Sequence, residues 1–218
     1  MDKKKIFYGI IAVVVAFIAI QTIIDINKEK NGETESVSED SHGSSNGQIS
    51  SVSPDTDVKE AEIKSKIEEL RELYPDGRFW NHMDIDEDEY DENKNYVTDK
   101  ACNHTKNSTK YCNTYKGKSS DAYPYAVAGR QSVGFASMLS DYVFGTEVEA
   151  YSFSDYEKLR IGDQARVDGD TQTVFVIDKT DDYIEVVEVN NNGTNCRISW
   201  GRRITKAELA DAFYISRY

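Results

Sequence analysis

The sequence feature that most constrains the fold is an apolar run close to the N-terminus. Residues Ile6 to Ile20 are apolar apart from Gly9, and Ile23 and Ile24 continue the run after two polar positions. A helix of this length is about as long as the hydrocarbon core of a bilayer is thick. We therefore predict a transmembrane anchor over residues 6–24.

The charges beside this run predict how the anchor is oriented. Lys3, Lys4 and Lys5 precede it, and basic residues tend to stay on the cytoplasmic side of a membrane. Residues 1–5 are thus expected in the cytoplasm. A cleaved signal peptide is the alternative, but bulky residues follow the run where a cleavage site needs small ones. We predict a single-pass protein of the cell membrane whose C-terminal part is extracytoplasmic.

The stretch after the anchor predicts a tether. Residues 25–53 are rich in Ser, Glu, Asn, Gly and Asp, a composition that cannot offset the entropy of ordering, and we assign no role to His42 within it. An exported domain is then expected over residues 54–218. The formal net charge of −13 argues against nucleic acid as a partner and against binding of anionic lipid through bulk charge. Contact with the membrane is expected through the anchor.

Two helices are predicted in the exported domain. The first starts at Ser53-Pro54, carries an apolar face and stops before Pro75; the face comprises Ile63, Ile67, Leu70 and Tyr74. The second begins near Ser132 and ends at Gly145, and its apolar positions recur at three- and four-residue steps; they are Phe135, Met138, Leu139, Tyr142 and Val143. The N-terminus of a helix stabilises negative charge, so Ser132 is a candidate nucleophile, ligand contact or helix cap.

Strand patterns follow the second helix. Residues 164–167, 171–177 and 183–190 are predicted strands separated by turn signals, and a last strand contains Cys196, Ile198 and Trp200. The stretch from Thr171 to Ile177 is continuously apolar or β-branched, as expected of a strand covered on both sides. Helices followed by a small antiparallel sheet define an α+β fold.

The region between the two helices carries an acidic loop. Seven of the nine residues from Asp84 to Glu92 are acidic. An EF-hand calcium loop would need glycine at Glu89 and a bidentate glutamate at Asn95, so a solvated loop is the prediction. We expect neither a metal nor a cofactor in the protein.

The cysteines allow more than one interpretation. Cys102 and Cys112 lie in an irregular stretch, and in an exported domain they are candidates for a disulfide worth about 2–3 kcal/mol. The alternative is a metal site formed by Cys102, His104 and Cys112, for which no fourth ligand is evident. A nucleophilic pair of Cys102 and His104 would lack an orienting group. Cys196 is predicted to be a core residue without a partner.

Several short strings, taken in order, resemble the papain-like peptidoglycan hydrolases of the CHAP and NlpC type. They are Gln131-Ser132-x-Gly134-Phe135-Ala136, Leu159-x-x-Gly162-Asp163, Thr173-Val174-Phe175-Val176-Ile177 and Glu188-x-Asn190. A group of exported domains from Firmicutes is particularly similar, through Tyr74-Pro75, Gly77-Arg78-Phe79-Trp80-Asn81-His82, Trp200-Gly201-Arg202 and Arg217-Tyr218. The resemblance covers residues 74–218. It implies an α+β, papain-like (CHAP/NlpC-type) fold, with helices packed on a small antiparallel sheet and, here, a single transmembrane helix in front.

The resemblance also implies where catalytic residues would stand. Ser132 occupies the position of the nucleophilic cysteine, Gln172 that of the basic histidine, and Glu188 or Asn190 that of the orienting residue. A serine needs a base more than a cysteine does, and glutamine cannot accept a proton near neutral pH. The resemblance therefore implies a pseudoenzyme in which no catalytic set is intact.

Three functions are compatible with this pattern. The preferred one is a non-catalytic groove that binds cell-wall peptide or a surface protein partner. Its candidate binding residues are Trp80, His82, Gln131, Ser132, Gln172, Glu188 and Asn190. The second is an active peptidoglycan hydrolase, an amidase or endopeptidase, that uses Ser132 with His82 as base. The third is a surface or assembly protein whose groove is filled by side chains.

Overall fold

A computed structural model describes residues 54–102, 110–169, 171–190, 193 and 195–218 of the chain. The predicted anchor at 6–24, the tether at 25–53 and His104 lie outside these residues. The statements below concern the described part of the chain.

Two α-helices are present in the described residues, and both end where the sequence predicts. Helix α1 spans Pro54–Leu73, and its buried side chains are Ile63, Ile67 and Leu70. Helix α2 spans Gln131–Phe144 and ends at Gly145, whose φ of 81° favours glycine. The predicted apolar face of α2 is buried except for Tyr142, which is 42% exposed and donates a hydrogen bond to Glu69 on α1.

The strands form one antiparallel sheet of six strands in the order β1-β6-β2-β3-β4-β5. Their bounds are β1 Tyr151–Phe153, β2 Gln164–Val167, β3 Gln172–Lys179, β4 Tyr183–Val189, β5 Ile198–Thr205 and β6 Phe213–Ser216. The C-terminal strand β6 lies between β1 and β2, so the end of the chain is part of the sheet.

Both faces of the sheet are covered. On one face, Phe175, Val187 and Ile198 pack with the buried residues of α1 and α2. On the other face, Val174, Val176 and their neighbours pack against residues 156–159 and 209–214. Strand β3 is buried from Gln172 to Ile177, which confirms the prediction of a strand covered on both sides. Its first residue, Gln172, therefore belongs to a buried strand at the centre of the sheet.

A buried ion pair ties the end of the chain to α2. Arg217 is 1% exposed and pairs with Asp141, which also accepts a hydrogen bond from the hydroxyl of Tyr115 at 2.8 Å. The guanidinium of Arg217 also donates to the carbonyl of Val148 at 2.7 Å. These bonds satisfy both charges and hold α2 against the C-terminal strand.

The predicted fold class is wrong for the described residues. The expectation was a papain-like, CHAP/NlpC-type domain preceded by a single transmembrane helix, whereas these residues hold a six-stranded antiparallel sheet and two α-helices. No helix in the described ranges is long and apolar enough to cross a membrane. Helix α1 is charged along its exposed side and the 14 residues of α2 reach only about 21 Å, so neither meets that requirement. The predicted anchor at 6–24 lies outside the described residues.

Candidate functional site

The start of helix α2 does not present a reactive serine. Ser132 is 6% exposed, and its Oγ accepts a hydrogen bond from the backbone N–H of Thr173 at 3.2 Å. The residue before the helix is Arg130, and no side chain caps the helix there. Ser132 thus joins α2 to strand β3 instead of capping the helix or facing solvent.

The residue at the predicted base position is held by a buried carboxylate. Gln172 donates from Nε2 to Oε2 of Glu188 and to the carbonyl of Val189, each at 2.9 Å. Glu188 is 1% exposed, and its Oε1 lies 2.6 Å from Nε of Arg202. Burial raises the pKa of the Glu188 carboxyl, although the nearby Arg202 acts to lower it.

Arg202 links this carboxylate to the surface. One of its terminal nitrogens lies 3.1 Å from Glu188 and 3.3 Å from Asp168, which follows strand β2. No local sequence pattern predicts this connection, because β2, β4 and β5 come together only in the folded sheet. Arg202 belongs to the string Trp200-Gly201-Arg202, for which the resemblance implies no role.

A polar pocket lies beside these residues. Its volume is about 230 Å³, and it is lined by Gln131, Asp168, Thr171, Gln172, Asn190 and Gly193. Nδ2 of Asn190 donates to Oε1 of Gln131 at 3.2 Å, which joins the end of β4 to the start of α2. Both residues have left-handed backbones, with φ of 62° and 52°. Such conformations cost of order 1 kcal/mol or more and concentrate at functional sites.

The other two predicted binding residues lie elsewhere. Trp80 is fully buried, and its ring packs on Phe135 with centroids 5.5 Å apart. His82 is the sole histidine among the described residues, and its Nε2 lies 3.0 Å from the carbonyl of Lys110. Its ring contacts Tyr90 and Tyr111 in a separate pocket of about 320 Å³. The structure thus groups Gln131, Ser132, Gln172, Glu188 and Asn190, but not Trp80 or His82.

This arrangement suits binding better than covalent catalysis. A glutamine amide cannot take a proton from Ser132, and the carboxylate behind it is already paired with Arg202. The serine hydroxyl is directed at a backbone N–H of β3. The amide and hydroxyl groups that line the pocket, by contrast, can donate to and accept from a bound peptide.

The three cysteines meet in a second cluster. The Sγ atoms of Cys102 and Cys196 lie 3.0 Å apart, those of Cys112 and Cys196 3.4 Å, and those of Cys102 and Cys112 3.8 Å. These distances exceed the bond of about 2.05 Å in a disulfide. A hydrogen bond with Cys112, together with burial, raises the pKa of the Cys102 thiol to about 12, although a hydrogen bond with Cys196 acts to lower it. Cys196, for which the sequence predicts no partner, therefore lies near enough to Cys102 to replace Cys112 in the predicted disulfide.

Comparisons with protein-family models, with curated proteins and with solved structures found no match to this chain. The resemblance to CHAP and NlpC hydrolases thus rests on the sequence strings and stays a prediction. The pocket and its hydrogen bonds are the structural evidence for a binding site.

Proposed function

We propose that this chain is a membrane-anchored, extracytoplasmic domain that binds cell-wall peptide in the pocket beside α2 without cleaving it. The location derives from the predicted anchor, and the ligand class derives from the resemblance to peptidoglycan hydrolases. The observation that carries the binding site is the hydrogen bond between Asn190 and Gln131, two left-handed residues that line one open pocket.

Backbone conformation supports a ligand site at this place. Gln131 is not a glycine, so its left-handed conformation is costly and must be held by its surroundings, whereas asparagine adopts that conformation more readily at position 190. The side-chain bond between them holds both residues while leaving part of each amide group for other partners. A pre-organised pair of this kind reduces the entropy that binding would otherwise cost.

The chemistry of the pocket supports a peptide. Carboxamides from Gln131, Gln172 and Asn190 and the hydroxyl of Thr171 match the donors and acceptors of a peptide backbone. Asp168 adds an acidic group at the same pocket, suited to the amino group of a diamino acid. A volume of about 230 Å³ accommodates a short piece of such a ligand and argues against a groove filled by side chains.

Peptide binding can be measured with a labelled ligand. The full-length chain in detergent is titrated into a fluorescent stem peptide of the cell wall, and anisotropy reports the dissociation constant. Thr171→Trp would place a bulky side chain at an exposed pocket residue, and we expect it to weaken binding at least about tenfold, or 1.4 kcal/mol.

The matched control is Ser152→Trp, which adds the same side chain at an exposed position on β1, a strand that contributes nothing to the lining of this pocket. It should bind as the unmodified chain does. Equal affinity of the Thr171 and Ser152 variants would refute the pocket as the binding site. Peptide turnover that Ser132→Ala abolishes would refute the non-catalytic assignment.

A further inference from the structure

The cysteine cluster brings together two parts of the chain that are far apart in sequence. Cys102 and Cys112 belong to the stretch between the helices, whereas Cys196 follows the turn after β4. All three side chains are buried, with exposures of 2%, 4% and 0%. Each offers one sulfur, and the three sulfurs lie within 4.8 Å of one another.

Backbone contacts hold the cysteines in place independently of their thiols. The N–H of Cys102 donates to the carbonyl of Asn195 at 3.1 Å, and the N–H of Trp80 donates to the carbonyl of Cys196 at 2.9 Å. Cys112 forms a β-bridge with Asn81. The backbone of each of the three cysteines is therefore held by a neighbouring segment.

Cys196 has an unusual backbone conformation within the cluster. Its φ is 67°, a left-handed value that is rare for cysteine, and its N–H donates to Oδ1 of Asn190 at 3.2 Å. A core cysteine that merely filled space would have no need of this strained backbone.

We propose that Cys102, Cys112 and Cys196 form a site for one zinc ion, with three thiolate ligands and a fourth position left for another donor. A point about 1 Å above the plane of the three sulfurs lies about 2.3 Å from each, the length of a zinc–sulfur bond. The longest sulfur separation, 3.8 Å, equals the edge of a tetrahedron around zinc with that bond length, about 3.8 Å. Binding displaces the three thiol protons to solvent.

A disulfide accounts for the cluster less well. It would use two of the three sulfurs and would leave the third thiol buried beside it. Zinc uses all three and is the soft-ligand ion that thiolates select without redox chemistry. The bound ion would join the stretch between the helices to the turn after β4. Because the N–H of Cys196 donates a hydrogen bond to Asn190, the bound ion would also help to hold Asn190 in the peptide pocket.

Metal titration tests the site. The full-length chain, purified in detergent and kept reduced, is titrated with Zn²⁺ in competition with a chromogenic chelator, and then with Co²⁺. We expect one zinc per chain, a thiolate-to-cobalt charge-transfer band in the near ultraviolet, and strong visible bands typical of tetrahedral cobalt. Removal of zinc by a chelator should lower the melting temperature by several degrees.

Variants show whether the cysteines are the ligands. Cys196→Ser should weaken zinc binding by more than about 100-fold. The control is Ser137→Ala, which removes a buried hydroxyl bonded to Ser119 without touching a sulfur, and it should bind zinc normally. The proposal is overturned if the reduced chain binds no zinc, or if cobalt binds without a charge-transfer band. The cobalt spectrum of the unmodified chain decides the matter even where a cysteine variant fails to fold.

Discussion

Substitution of Arg202 should lower the stability of the fold, because it leaves the carboxylate of Glu188 buried without its ion-pair partner. In Arg202→Met, Glu188 keeps its hydrogen bond from Gln172 but loses the guanidinium at 2.6 Å. Breaking a buried ion pair from one side costs about 3–5 kcal/mol. Because the side chain of Arg202 is 26% exposed while that of Glu188 is 0% exposed, we expect the lower end, about 3 kcal/mol at pH 8.

The loss should depend on pH. The pKa of Glu188 is raised in the folded chain by burial, and without Arg202 it rises further. A carboxyl whose folded pKa is raised favours the folded state at low pH, and that contribution is lost as the pH rises through the folded pKa. The penalty of Arg202→Met should therefore be smaller at pH 5 than at pH 8, because a lower pH favours the protonated, uncharged carboxyl.

Urea denaturation followed by the fluorescence of Trp80 and Trp200 measures this difference at the two pH values. Arg203→Met is the matched control, because Arg203 is the next residue and its side chain is 65% exposed in its pair with Glu185. It should cost less than about 1 kcal/mol at either pH. Adding Glu188→Gln to Arg202→Met should recover most of the stability. Equal losses at pH 5 and pH 8, or no recovery in the double variant, would refute the reasoning.

Substitutions at three further residues test the fold. Burial raises the pKa of Asp163 to about 7, so stability should fall by up to about 1.4 kcal/mol per pH unit between pH 4.5 and 7, and Asp163→Asn should flatten that slope in denaturation curves. Asp141→Ala leaves Arg217 buried without its carboxylate and should cost about 3–5 kcal/mol in the same assay, whereas Asp141→Asn should cost less. Gly134→Ala should lower the melting temperature, because a Cβ would lie 2.2 Å from the carbonyl oxygen of Gly129.

Local patterns predicted the helices and the central strands well. The spacing of Ile63, Ile67 and Leu70 predicts one buried face of α1, and the continuous apolar stretch of β3 predicts burial on both sides. Tyr142 fitted the apolar spacing of α2 but is exposed, because its hydroxyl reaches Glu69 on the neighbouring helix. A side chain with a polar tip satisfies the same spacing while keeping that tip at the surface.

Long-range pairing could not be predicted from these patterns. Strand β1 has three residues with little burial, and its partner β6 lies at the far end of the chain, so local patterns do not predict that the two strands pair. The same limit applies to the site. The sequence strings singled out Ser132, Gln172, Glu188 and Asn190, which the structure groups together, but nothing local predicted that Arg202 would pair with Glu188.

The cysteines show this limit most clearly. Cys102 and Cys112 are near neighbours in sequence and were considered together, whereas Cys196 was predicted to be a core residue without a partner. The turn after β4 returns Cys196 to the stretch between the helices, where its sulfur is nearer to Cys102 than that of Cys112 is. The pairing of β4 with β5 and the hydrogen bond from Trp80 N–H to the carbonyl of Cys196 determine that position.

The most direct test of the proposed function uses intact cell-wall sacculi. The full-length chain in detergent is incubated with purified sacculi, and the bound protein and the soluble muropeptides released are measured in the same sample. We predict that the chain sediments with the sacculi, that Thr171→Trp weakens this binding, and that no muropeptides are released above a protein-free sample. Release that Ser132→Ala abolishes, or binding that Thr171→Trp leaves unchanged, would contradict the account.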